Sequence, residues 1–392
     1  MPTAMDMATV MDMATVTATA KQKRNTLGTC LVLNNRYSMV LNFSIFFLLA
    51  FILTMGVHAY FLSRAKRQNI KKYNITGERW ASQRKPMLGG VGFFAGFAIG
   101  VVAWNFLGGN FAQSTDSHMI VGVLASVSMA FVAGLIDDVF NTSPAFKFAM
   151  QFAVGAVLIF SGIYIQIFDN QWLNYALTIF WVVGIMNSLN MLDNMDSVTN
   201  TMCVIVLAGI LVMLLSPARE MFFVILIVST LASMIAFYRF NWHPSKMYMG
   251  DNGSQFLGAF MAIMSIRYLW NPAAAELSNS VYPFLIVYLA FLVPLTDTAT
   301  VTINRLMRGQ SPFVGGTDHT THHLSYRGLS DRQVVCLLGA INIVSASVAV
   351  WFLLMPPKSS WPLWVAGCAA LVVSGLLYAN TKVTKPKQKS KK

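Results

Sequence analysis

Charge is scarce in this chain of 392 residues. Only 11% of them are Asp, Glu, Lys or Arg, against about 25% in soluble domains. Hydrophobic residues make up 56%, and the mean hydropathy is +0.57. A soluble globular fold is excluded, and a polytopic membrane protein is implied. Acids are scarcer than bases, 15 against 28, which leaves a net charge of +13. That excess does not read as nucleic-acid binding, because no stretch joins a basic groove to interleaved aromatics. The positives lie instead in short loops between apolar runs, where they set membrane orientation. Cysteine is scarce as well. Cys30, Cys203, Cys336 and Cys368 have no close spacing, so neither a disulfide framework nor a zinc site is supported. Residues 1–37 lack an apolar core, which excludes a secretory signal there. They hold a tandem Met-Asp-Met-Ala-Thr-Val at 5–10 and 11–16. This reads as a disordered tail or as upstream sequence, with Met39 as an alternative start.

What the chain has is a series of apolar runs long enough to cross a hydrocarbon core of about 30 Å. They fall near 39–62, 87–108, 118–136, 145–166, 172–189, 198–215, 221–238, 253–270, 281–303, 333–355 and 361–379. The expected fold is therefore an all-α polytopic membrane protein of about eleven spans. Residues 38–380 form one multi-span domain, followed by a basic tail at 381–392. The loop after the first span carries Arg64, Lys66, Arg67, Lys71, Lys72, Arg79, Arg84 and Lys85, a cytoplasmic signature. With a cytoplasmic C-terminus and an outside N-terminus, cytoplasmic segments collect 21 Lys and Arg. External loops collect three, Arg219, Arg267 and Lys358. Only the N-terminal tail disagrees.

Every polar cluster then falls on the cytoplasmic side. Arg84-Lys85-Pro86-Met87-Leu88-Gly89-Gly90 opens the second run and suits either a phosphate or a snorkelling anchor beside close-packed glycines. Gly134-Leu135-Ile136-Asp137-Asp138 closes the third. Adjacent carboxylates at a membrane exit are costly unless they bind something. They diverge by about 100° on a helix, so they should not share one role. Pro144 marks a helix start, and Lys147 and Gln151 lie four apart on one face.

Asn187, Asn190, Asp193 and Asp196 recur every third residue at the end of the fifth run. Spacing of three drifts by about 60° per step, so all four converge only if the helix ends or tightens near Asp193. Asn241 and Tyr248 lead into Met249-Gly250-Asp251-Asn252-Gly253-Ser254. There the free N–H groups of a helix start favour an anion, and Asp251 is placed to hold Mg²⁺ beside a phosphate. Pro294 should bend the ninth run. Beyond it come Asp297, Arg305, Arg308, and then His319, His322 and His323. With no cysteine near, those histidines suit a diphosphate better than zinc.

In this order the motifs resemble the polyprenyl-phosphate N-acetylhexosamine-1-phosphate transferases, the WecA-like branch of the superfamily that includes the peptidoglycan translocase MraY. The resemblance runs from about Arg84 to Arg332. It implies transfer of a sugar-1-phosphate from a UDP-N-acetylhexosamine, with GlcNAc expected, to undecaprenyl phosphate. The products are the lipid-diphosphate sugar and UMP, with Mg²⁺ required and Mn²⁺ as a substitute. It places the protein in a bacterial inner membrane and leaves room for a homodimer. By similarity Asp251 matches the metal ligand, and Asp137, supported by Asp138, the carboxylate acting on the lipid phosphate. Asn187, Asn190 and Asp193 match positions near diphosphate and metal, with Asn187 among the expected ligands. Asp196, Asn241 and Tyr248 match nucleotide contacts. Lys147, Arg308, His319, His322 and His323 would face phosphates, the last two with Asp193 in catalytic positions.

Two departures stand out. The family's Asp-Gly-x-Asp-Gly is here Asp193-Asn194-Met195-Asp196-Ser197. The loop His319-Thr320-Thr321-His322-His323 lacks the translocase's Pro-x-His-His-His-Phe, which argues against a MurNAc-pentapeptide donor. A secondary transporter is the rival from another class. Its sites would lie near the midplane in repeated halves, whereas here the acids gather at one face and no repeat relates the halves.

Overall fold

The computed structural model describes residues 41–67, 85–107, 117–214, 220–271, 281–312, 316–357 and 359–383. The expected N-terminal tail, Arg84, most of the basic first loop and residues 384–392 lie outside them. The described chain is helical, with one isolated bridge between Met87 and Tyr248. Its helices are α1 (Leu41–Arg67), α2 (Gly89–Phe106), α3 (Ser117–Phe140), α4 (Pro144–Phe160), α5 (Gln171–Leu192), α6 (Val198–Leu214) and α7 (Met221–Asn241). They continue as α8 (Gly250–Ser265), which runs into a wide π turn at Ile266–Trp270, then α9 (Val281–Ala290), α10 (Leu292–Met307), the short α11 (Thr320–Tyr326), α12 (Asp331–Leu354) and α13 (Trp361–Val383).

This is an all-α polytopic membrane protein. Each apolar run holds a helix, but the expected eleven spans are not reached by length and apolarity. Seven described helices pass that test, and the bent pair α9–α10 makes an eighth. Three runs hold shorter helices, α4 and α6 of 17 residues and α8 of 16.

The core is organised on α8. Every residue from Gly250 to Ser265 is buried, with α2, α3 and α5 packed around it. A helix apolar on all sides past its first turn has to be enclosed in this way. Close approach depends on small residues. A Cβ at Gly134 of α3 would lie 2.3 Å from the Asp251 carbonyl oxygen.

The chain turns by 91° between α9 and α10. Pro294 accounts for it, since its ring clashes with the carbonyl four residues back, at Ala290. Polar groups freed inside a membrane must find partners. Asn342 of α12 donates to Ala290 O (3.4 Å) and accepts from Val293 N (3.3 Å), and Ser345 donates to Leu289 O at 2.6 Å. The turn carries Asp297 toward α11.

Candidate active site

Ser143 caps α4 by accepting the Phe146 N–H, and Pro144 begins the helix. Lys147 and Gln151 therefore leave α4 one turn apart, toward α8. The Lys147 ammonium stands between two carboxylates, 2.5 Å from Asp137 Oδ2 and 2.7 Å from Asp251 Oδ2. The second oxygen of Asp137 accepts the Thr142 N–H (2.9 Å) and hydroxyl. The second oxygen of Asp251 accepts from Asn190 at 2.9 Å, and Asn190 also donates to Ser254. Both carboxylates are buried, at 7% and 5% exposure.

This cluster lines a small cleft. Asp137, Lys147, Asp251 and Gln255 are its polar lining, and Ala130, Phe146, Met150, Val154 and Met186 are apolar. The site thus sets a charged head beside apolar walls.

Asp137 and Asp138 do part company. Asp138 accepts the N–H groups of Asp251 (2.9 Å) and Asn252 (2.8 Å), so it caps α8. The free amides expected there to receive a phosphate are filled by the chain's own carboxylate. Asn187, expected among the metal ligands, has its amide engaged on α4 and α5. Its Nδ2 donates to Gln151 (2.7 Å) and to Val183 O, and it is Asn190 that reaches the carboxylate. Gln255, four residues after Asp251, was not foreseen. It accepts from Gln151, and its i,i+4 spacing from Asp251 was the available signal.

The α5 helix ends at Leu192 with Asp193 as its cap, and Asp196 turns away to the α7–α8 loop. It accepts from the Ser245 N–H (3.0 Å) and hydroxyl (2.7 Å) and lies 2.9 Å from His243 Nδ1. Asn241 has both ends of its amide engaged, by the Ser197 N–H and by Met247 O. It braces this loop from within. Tyr248 is half-buried, with the Lys85 ammonium 5.0 Å from its ring centre. Burial, then the charges of Asp196 and Asp193, push its phenol above the usual range.

Ser197, which replaces a family glycine, has φ +65°. A left-handed backbone costs an L-residue about 1–2 kcal/mol, and Ser197 offsets this with its N–H and Oγ bonds to Asn241 (2.8 and 2.9 Å). Ser197→Gly should therefore leave stability within about 1 kcal/mol of the parent, because relieved strain balances a lost hydrogen bond. Ser197→Val should cost about 2–3 kcal/mol by combining strain with an unpaired carbonyl. Thermal unfolding of the purified chains in one detergent separates the two.

The histidine segment is tied down at several points. Asp297 pairs with His319 and with Thr320. The Thr321 hydroxyl donates to Asn194 Oδ1 at 2.6 Å, so the second glycine replacement links α11 to the turn after α5. Arg305 grips Asp318 through two nitrogens (3.1 and 2.7 Å), and Arg308 reaches it at 2.5 Å. Burial opposes the Asp318 charge, but the two guanidiniums outweigh it and hold the carboxyl down to about 2. His319 and Arg308, expected to face phosphates, are thus both held by carboxylates. The His323 ring packs on Tyr326.

Burial, reinforced by the charge of His319, pulls His322 down to about 4. A ring whose folded value lies below its unfolded value of about 6.5 is stabilising when neutral. That contribution is complete above pH 6.5 and is lost as pH falls through 4, up to about 3 kcal/mol. Unfolding temperatures from pH 7 to pH 4 should fall less steeply in His322→Gln than in the parent chain.

The structure joins Asp137, Lys147, Asn190 and Asp251 into one cluster, with Gln151, Asn187 and Gln255 beside it. It sets Asp196, Asn241 and Tyr248 into a second group and the histidines into a third, linked through Asn194 and Thr321. The model of glycosyl transferase family 4 matches residues 120–269, which span the first cluster and the second. The chain is 31% identical over 282 residues to a probable undecaprenyl-phosphate N-acetylglucosaminyl 1-phosphate transferase of Bacillus subtilis, covering 68% of this chain and 75% of that one. It is 28% identical to a decaprenyl-phosphate N-acetylglucosaminephosphotransferase of Mycolicibacterium smegmatis, over 74% of this chain and 78% of the relative. A phospho-N-acetylmuramoyl-pentapeptide-transferase of Streptococcus thermophilus is 25% identical, over 78% and 96%. A lysine between two buried carboxylates, heading an apolar cleft within a helical membrane protein, is explained by that kinship: the chain belongs to glycosyl transferase family 4 and is a glycosyl-1-phosphate transferase.

Proposed function

We propose that this enzyme transfers N-acetylglucosamine-1-phosphate from its UDP-sugar to undecaprenyl phosphate, releasing UMP, at the cytoplasmic face of a bacterial inner membrane. This would be the first membrane step of a surface polysaccharide. The observation that carries the reading is the Asp137–Lys147–Asp251 cluster at the head of an apolar-walled cleft. A lipid phosphate has that shape, a charged head on a hydrocarbon tail. The Lys and Arg bias of the loops supports the cytoplasmic side, and the names of the Bacillus and Mycolicibacterium relatives support acceptor and sugar.

In-line attack of one phosphate on another mainly needs positioning and charge neutralisation. Lys147 supplies a cation at the cleft head, and Asp137 orients the lipid phosphate beside it. Tyr248, Lys85 and Asp196 present the nucleotide side, with an aromatic face for the uracil. The donor set suits a divalent cation, since two buried carboxylates already share one positive charge. Magnesium ordinarily binds through one or two carboxylates plus substrate oxygens. Held by Asp251 with Asp137, Mg²⁺ or Mn²⁺ would supply charge neutralisation on the diphosphate.

The test is UMP release by the purified chain with undecaprenyl phosphate, Mg²⁺ and a panel of UDP-sugars that includes UDP-MurNAc-pentapeptide. Release with UDP-GlcNAc supports the proposal. Release only with the pentapeptide donor would move the enzyme to the peptidoglycan step, and silence with every donor would refute transfer.

A further inference from the structure

Asp297 lies in α10, and none of its surface is exposed. A buried carboxylate persists only with strong partners, and this one has three. Its Oδ1 accepts from the Thr320 N–H (2.8 Å) and hydroxyl (2.6 Å). Its Oδ2 lies 2.8 Å from Nδ1 of His319. Both Thr320 donors converge on one oxygen, which leaves the other to the imidazole. An ionised carboxylate can only accept, so the proton between them belongs to Nδ1. Among the described residues Nε2 of His319 has no hydrogen bond, and it is the ring atom left for a ligand. The His319 side chain is 6% exposed and has little freedom to turn.

We propose that Asp297 is a positioning residue for the transfer reaction. It fixes His319 in the Nδ1–H form, so that the Nε2 lone pair accepts the hydroxyl proton of a monoprotonated lipid phosphate as that oxygen attacks the diphosphate and UMP leaves. The role in turnover rests on the sugar-1-phosphate reading above; the state of the ring does not. The 91° turn before α10 serves this arrangement, because it brings a carboxylate from within a broken apolar run against the histidine helix.

Asp297→Asn is the informative change because it is isosteric. The two Thr320 donors hold the new amide oxygen on their side, which turns its NH₂ toward His319. Nδ1 then has to accept, and the proton moves to Nε2. In the full chain, ¹⁵N-histidine-labelled in nanodiscs at pH 8 and assigned with His319→Asn, we expect Nδ1 to carry a proton. We expect Asp297→Asn to remove it. In the UMP-release assay Asp297→Asn should lower kcat by about 10²- to 10³-fold, the usual worth of a correctly protonated catalytic histidine, with KM for UDP-GlcNAc and lipid within about threefold. In a His319→Asn background the same change should have no further effect on kcat.

An unprotonated Nδ1 in the parent chain overturns the proposal without any variant being needed. So does a wild-type kcat in Asp297→Asn, or an Asp297→Asn loss that persists undiminished without the histidine. If the parent chain releases no UMP from any donor, the transfer reading falls, while the nitrogen spectra still decide the Asp297–His319 arrangement.

Discussion

Asp251→Asn should lower turnover by about three orders of magnitude while leaving the chain folded. The substitution keeps the shape and one acceptor, so the bond from Asn190 and the start of α8 can persist. What it removes is a charge buried at 5% exposure and 2.7 Å from the Lys147 ammonium. Preorganised charge in a water-poor site is worth about 10²–10³ in rate for one group. Asp251 is also the carboxylate proposed to hold the divalent cation, so its loss should reach the upper end. UMP release at saturating UDP-GlcNAc gives the effect on kcat, and a thermal melt shows that the fold survives. A rate within tenfold of the parent would remove Asp251 from the site.

Lys147→Met should be comparably damaging, with a second signature. Methionine keeps the apolar stem but removes the cation that Asp137 and Asp251 share. Both carboxylates lie within 2.7 Å of one nitrogen, so their near oxygens are at most about 5 Å apart. Two unscreened charges at that separation repel by about 3 kcal/mol at an effective dielectric of ~20. The substituted site should therefore draw in a divalent cation to replace the ammonium. Mg²⁺ should raise the unfolding temperature of Lys147→Met more than that of the parent, even though UMP release falls by about 10³-fold. Equal Mg²⁺ shifts in the two chains would show that the carboxylates are not the cation's seat.

Both predictions concern groups that the sequence picked out, but their pairing came from the fold. The Asp137–Asp138 doublet shows the difference. Two adjacent residues on a helix must diverge by about 100°, so separate roles could be read directly. Nothing local says which of them meets Lys147 and which caps α8, because both partners are set by how α3, α4 and α8 pack. The Asn187–Asp196 stripe behaves in the same way. Its drift let all four groups converge only if the helix ended or tightened near Asp193, and α5 ends at Leu192. That Asn190 is the amide on Asp251, with Asn187 on Gln151, depends on the rotation of α5 against α8. Ser197 and Asn194 were visible as departures from the family pattern. Their compensating bonds to Asn241 and Thr321 involve residues distant in the chain and were not visible.

The sequence by itself determined the class of fold, the place of the apolar helices, the bend near Pro294 and the list of reactive side chains. It could do so because a bilayer obliges each apolar run to satisfy its own backbone and because helical spacing is a local property. The tertiary structure alone decided that Lys147 stands between Asp137 and Asp251, that Asp138 seals the start of α8, and that Asp297 holds His319. Those pairings bridge helices far apart in sequence, and only side-chain packing sets the rotation and depth of one helix against another.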